Sequence, residues 1–80
     1  MGCHEKGRKI FDGLDNATKE CNLHTDCKGV WEVDNYCDGN GDIMLCQSFY
    51  EPKFEQRGCI YGKGNMGYKL TMKNKKNLEY

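Results

Sequence analysis

Large aliphatic side chains are scarce in this chain: Leu, Ile, Val and Phe make up 13 of its 80 residues. So few cannot build a conventional oily core, and other constraints must help hold the fold. Net charge is also absent, because 12 basic residues meet 12 acidic ones. No apolar run approaches the roughly 20 residues of a membrane-spanning helix, so no span is expected. Serine occurs once, as Ser48, and histidine twice. A Ser-His-acid triad would have to be assembled with no local motif to favour it. No glycine-rich phosphate loop precedes a helix. The chain is too short for a Rossmann domain or a (β/α)₈ barrel. We expect no enzyme and no cofactor. A structural zinc site would need short paired spacings such as Cys-x₂-Cys, and none occurs.

What the chain does have is cysteine, six residues in 80. Each disulfide constrains the unfolded chain and contributes roughly 2–4 kcal/mol. Such bridges persist in oxidising compartments, which reads as a secreted or extracellular protein. Met1 and Gly2 run straight into Cys3 and His4 with no charged-then-apolar leader. The chain is therefore read as a mature sequence carrying an added Met. The cysteines stand at 3, 21, 27, 37, 46 and 59, and spacing alone does not choose among their pairings.

Punctuation gives a coarse structure. Residues 8–12 read as a short strand ending at Gly13. Asp15 or Asn16 is suited to cap a helix over residues 17–24, because a short side-chain oxygen can accept an orphan first-turn N–H. Leu14, Ala17, Cys21 and His24 fall on one face at helical spacing. Residues 28–34 form a strand with mixed faces, Val30, Glu32 and Asp34 alternating with Trp31 and Val33. Residues 38–42 are a turn, residues 43–50 the most apolar strand, and residues 58–61 another. Pro52 falls in a polar loop. The expected class is α+β: a small disulfide-rich domain with one short helix packed on an antiparallel sheet. Residues 1–60 hold seven basic and 11 acidic residues, whereas residues 61–80 hold five Lys and one Glu. The chain therefore divides into a core, 1–61, and a basic Gly/Lys/Tyr tail, 62–80. The tail could supply an extra strand before a flexible end over residues 73–80.

The order of these features resembles a known family. Ala17-x₃-Cys21-Asn22-x₄-Cys27-Lys28-Gly29-Val30 places one cysteine in a helix, a second at its end, and then a Gly-Val strand. Tyr36-Cys37-Asp38-Gly39, Leu45-Cys46 and Gly58-Cys59-Ile60-Tyr61 follow. The pattern resembles PAN/apple modules, in particular the small cysteine-rich kind found in invertebrate secreted proteins. The resemblance implies a nested pairing: Cys3–Cys59, Cys21–Cys46 and Cys27–Cys37. It also implies a non-enzymatic recognition role, binding protein or carbohydrate. A secreted signal, pheromone or toxin-like effector acting on a receptor is a second reading. A matrix or adhesive component is a third.

Candidate binding residues are Trp31, Asp34, Tyr36, Asp38, Asn40, Asp42 and Tyr50. Aromatic rings beside Asp and Asn can stack on a sugar or anchor a protein hot spot. For Trp31 the plainer role is packing inside the Cys27–Cys37 loop that the resemblance implies. Asp38, Asn40 and Asp42 also offer alternate hard oxygens, a calcium alternative. The sixth position of that loop is Ile43, where an EF-hand needs glycine, and a plain turn is the preferred reading. Asn16-Ala17-Thr18 is an N-glycosylation sequon. With a pI of about 6.7, nucleic acid is not an expected partner; an extracellular protein or glycan is. Oligomeric state is left open.

Overall fold

The computed structural model, which describes residues 2–34, 36–51 and 57–73, is dominated by strand. The elements run β1 (Gly2–Asp12), α1 (Leu14–Cys21), β2 (Gly29–Glu32), β3 (Asp42–Tyr50), β4 (Cys59–Gly64) and β5 (Gly67–Lys73). Among the described residues the strands form one sheet in the order β1-β3-β2-β4-β5, each neighbouring pair antiparallel. A small disulfide-rich α+β domain is thus what forms. Strands β1 and β2 both oppose β3, so they are parallel to each other. A parallel pair needs a crossover, and α1 supplies it.

Alternation sorts side chains to the two faces of the sheet. Val30, Ile43, Leu45, Cys59 and Tyr61 form the main core with Ala17 and Cys21 of α1, and Phe11, Leu14 and Tyr68 pack at its margin. Cys3, Cys46 and Ile60 form a smaller cluster with Trp31 and Phe49 against them.

The helix begins earlier than its side-chain signals indicate. Gly13 stands at the N-cap with φ 92°, and no side chain caps the helix. The neighbouring loop does the capping instead. The N–H groups of Gly13 and Leu14 donate to the carbonyls of Gly41 and Gly39, at 2.9 and 2.8 Å. Asp15 and Asn16 therefore lie inside the first turn, and Asn16 Nδ2 donates back to the Asp12 carbonyl. The helix also ends at Cys21, short of residue 24. Eight residues are marginal as a helix on their own, so α1 depends on the sheet. Lys63 Nζ donates to the carbonyls of Cys21 and His24, at 3.0 and 3.3 Å. A cation at this end meets the negative pole of the helix dipole. The Tyr68 hydroxyl donates to Asn22 Oδ1 at 2.7 Å. Lys63→Met keeps the aliphatic stem and removes the cap. It should cost about 1 kcal/mol in urea unfolding and speed amide exchange at residues 21–24.

Lys63 and Tyr68 both come from the segment read as tail. The 61/62 boundary falls inside β4, and residues 62–73 continue the sheet. Residues 74–80 and Pro52 lie outside the described residues. Both edge strands carry irregularities. In β1 the partners jump from Glu5↔Cys46 to Ile10↔Met44, so residues 6–9 bulge out, with Gly7 at φ 74°. In β5 Thr71 is the extra residue between Leu70↔Tyr61 and Met72↔Ile60. Bulged edges discourage pairing with other chains.

The nested disulfide pairing is not found. The bridges are Cys3–Cys46, Cys21–Cys27 and Cys37–Cys59. Strand order explains the difference. β1 lies three strands from β4, roughly 14 Å at about 4.8 Å per strand, beyond the reach of a Cys3–Cys59 bond. Cys21 and Cys46 belong to clusters on opposite faces of the sheet. Cys27 and Cys37 flank opposite ends of β2. After α1 the chain turns back at once, with His24 N–H donating to Cys21 and Cys27 N–H to His24. That turn brings the α-carbons of Cys21 and Cys27 to 5.3 Å.

Candidate functional site

The site is built on a carboxylate in the core. Glu32 follows Val30 by two residues on β2 and so shares its inward face; it is 0% exposed. A buried carboxylate is costly unless its oxygens are hydrogen-bonded. Here they are. Glu32 Oε1 accepts from the Tyr61 hydroxyl at 2.8 Å and from Gly39 N–H at 3.1 Å. Glu32 Oε2 accepts from Asp38 N–H at 3.2 Å. Burial raises the Glu32 pKa most; the Tyr61 hydroxyl pulls it down, Asp34 raises it further, and the Gly39 and Asp38 amides lower it, leaving it above its ordinary value. Burial, and then the Glu32 carboxylate beside it, pushes the Tyr61 hydroxyl far up, so it remains a donor.

Glu32 thereby fixes the loop that follows β2. The loop is held from other directions as well. Cys37 is bonded to Cys59 at the start of β4. The Gly39 and Gly41 carbonyls accept the first N–H groups of α1, and the Asp42 carbonyl accepts Val33 N–H. Asp34 Oδ1 accepts Tyr36 N–H at 3.0 Å, and Asp38 Oδ1 accepts Asn40 N–H, also at 3.0 Å. The Asn40 bond holds the Asp38 carboxyl below the usual aspartate range. Cys37 adopts φ 55°, a left-handed conformation rare outside glycine. Such strain persists where surroundings over-determine it, as the disulfide does here. Gly41, at φ 88°, leaves room for Asp34, because a Cβ there would sit 2.8 Å from Asp34 Oδ2.

The tethered loop presents a distinctive surface. Tyr36 is 80% exposed, with Asp34 and Asp38 two residues to either side. Between the same loop and the start of α1 runs an open groove of about 520 Å³, lined by Asp12, Asp15, Asn16, Asp38 and Asn40 among others. Its charged residues are all acidic.

The candidate binding residues do not all meet here. Asp34, Tyr36, Asp38 and Asn40 share the loop, and Asp42 opens β3 beside it. Tyr50 stands at the far end of β3, its ring 4.4 Å from that of His4. Trp31 points to the other face of the sheet. It packs against the cluster containing Cys3 and Cys46, and its Nε1 donates to the Arg57 carbonyl at 2.9 Å. Its disulfide neighbour is therefore Cys3–Cys46, with no Cys27–Cys37 loop to sit in. One carboxylate oxygen each from Glu32, Asp34 and Asp38 lies within 4.8 Å of the other two; Asp42 of the calcium pattern is not among them. Oxygens of these three residues accept from backbone amides and from Tyr61. Glu32 and Tyr61 were not legible as site residues, although Glu32 stood in phase with the apolar Val30.

No known protein family, no curated protein and no solved structure matches this chain.

Proposed function

We propose that this chain is a secreted, non-enzymatic recognition module that binds an extracellular protein or carbohydrate through the loop of residues 34–42. One observation carries the reading: an exposed tyrosine stands on a loop tethered by a disulfide, a buried carboxylate and the start of a helix. A loop ordered in advance loses little conformational freedom on binding. Exposed tyrosine is a recurrent hot-spot residue. The acidic groove that the same loop lines favours a partner that presents Lys, Arg or hydroxyl groups. Three disulfides favour an oxidising, extracellular setting.

Asn16, exposed beside the groove, is proposed as a glycan acceptor; peptide mass with and without N-glycosidase reads its use. Kinship with PAN/apple modules is proposed on cysteine order and helix placement alone, since the bridges differ from the pairing that family implies.

The test is an array of extracellular proteins and glycans probed with the oxidised chain and with Tyr36→Ala. A ligand of the wild type should bind the variant about 30-fold more weakly, the loss of a hot spot of about 2 kcal/mol, with the melting temperature unchanged. Undiminished binding by Tyr36→Ala would place the docking face elsewhere.

A further inference from the structure

We propose that Glu32 is an acid-sensitive latch: as a carboxylate it holds the loop at Asp38 and Gly39, and on taking up a proton shared with Asp34 it loosens that hold. The inference deepens the recognition reading, because it concerns control of the same loop.

The geometry supports it as follows. Glu32 is fully buried, yet the only backbone donors bonded to it among the described residues, Asp38 and Gly39, lie on the loop itself. Hydrogen bonds to an ionised acceptor are roughly twice as strong as neutral ones. Protonation therefore weakens both amide bonds. Oε2 is hit hardest: once it carries the proton, it becomes a donor and turns from Asp38 N–H toward the Asp34 carboxylate, an oxygen of which lies within 4.8 Å of the Glu32 carboxyl group. Oε1 keeps the Tyr61 hydroxyl, so the core end of the side chain stays anchored.

Among the described residues, the groups that act on the Glu32 carboxyl include no cation that would oppose proton uptake. From β4 the facing titratable group is Tyr61, a neutral donor. From the loop they are Asp34 and Asp38, both acidic. From α1 the buried residues are Ala17 and Cys21, neither of which titrates. From β3 the residue paired with Glu32 is Ile43. Two acidic neighbours and a dry setting favour the protonated form, in keeping with the raised pKa of Glu32. The transition then falls above the range of exposed glutamates.

The sign of the stability effect separates this latch from ordinary acid unfolding. The folded-state pKa of Glu32 lies above its unfolded value. Its contribution to global stability is thus fully present below the unfolded pKa and is lost as pH rises through the folded pKa. Asp38 acts in the opposite sense, because its pKa is lowered: its contribution is present above the ordinary aspartate value and lost as pH falls through the folded one. As pH falls through the Glu32 transition and stays above the Asp38 range, the loop should loosen while the fold as a whole does not weaken.

The test is a pH titration of the oxidised, full-length chain by NMR from neutral to mildly acidic conditions, without any ligand. The Glu32 carboxyl carbon and the Asp38 and Gly39 amides should shift with one common midpoint above the ordinary glutamate range. Exchange of those two amides, corrected for intrinsic pH dependence, should rise about tenfold across it. Glu32→Gln resembles the protonated form, since its amide can donate to Asp34; it should show fast exchange at neutral pH and no further response. Asp34→Asn, which removes the acceptor of the shared proton, should move the midpoint down and guards against a Gln variant that does not fold. Amides that stay fixed while Glu32 titrates would overturn the latch, as would amides that follow the low-pH titration of Asp38. Because no ligand is used, the latch can stand or fall separately from the docking role, which Tyr36→Ala tests.

Discussion

Replacing Cys3 and Cys46 together by alanine is expected to lower the unfolding free energy by about 4 kcal/mol, the largest loss among the three bridges. Cross-link entropy grows with the loop closed. Cys3–Cys46 spans 43 residues, Cys37–Cys59 22 and Cys21–Cys27 six. The corresponding losses are about 4, 3 and 2 kcal/mol. A domain of this size has only on the order of 10 kcal/mol of stability to lose, so the first double variant should melt well below the parent. It should also expose Trp31, which rests on the Cys3–Cys46 cluster, and a red shift of Trp fluorescence should follow urea denaturation at a lower midpoint. Thiol titration of the same variant should find no free cysteine, since its other four remain paired. Two free thiols would mean that Cys3 and Cys46 are not partners.

Gly58→Ala is expected to cost at least about 3 kcal/mol. Gly58 sits at φ 104°, where an L side chain is strained, and an added Cβ would overlap the Glu32 carbonyl oxygen and Trp31 Nε1. The carbonyl is part of the β2 backbone and cannot swing aside, so relief must come from moving the chain just before Cys59. Overpacking against backbone combined with a forbidden φ belongs among the most damaging single substitutions. The shift would also drag Cys59 and, through its disulfide, Cys37 and the docking loop. Urea unfolding reads the stability change. Resonances of residues 36–40 should move even though the substitution lies outside the loop. A cost below about 1 kcal/mol would show that β2 and β4 pack less closely here.

Much of the local structure was legible from residue pattern. Leu14, Ala17 and Cys21 announced the helix by spacing, and the apolar run from Ile43 announced the third strand. Side-chain signals point to Asp15 or Asn16 as the N-cap, whereas the cap is Gly13, because the groups that satisfy the first amides are carbonyls of a loop more than 20 residues away in sequence. No side-chain signal encodes that. The bridges differ from the nested pairing for a similar reason: the order of cysteines along the chain says nothing of the sheet order β1-β3-β2-β4-β5, which decides which cysteines meet. The same order separates Trp31 and Tyr50 from the loop with which they were grouped. Glu32 looked like one polar residue in a strand of mixed faces. Only the arrival of Tyr61 from β4 and of two loop amides makes its burial tolerable, and these are long-range contacts.

The most direct measurement is non-reducing peptide mapping of the oxidised chain by mass spectrometry. Linked peptides joining Cys37 to Cys59, Cys3 to Cys46 and Cys21 to Cys27 are the expected result, with the first of these locking the loop beneath Tyr36. Peptides joining Cys3 to Cys59, Cys21 to Cys46 and Cys27 to Cys37 would contradict it, and would remove the tether on which the proposed docking face depends.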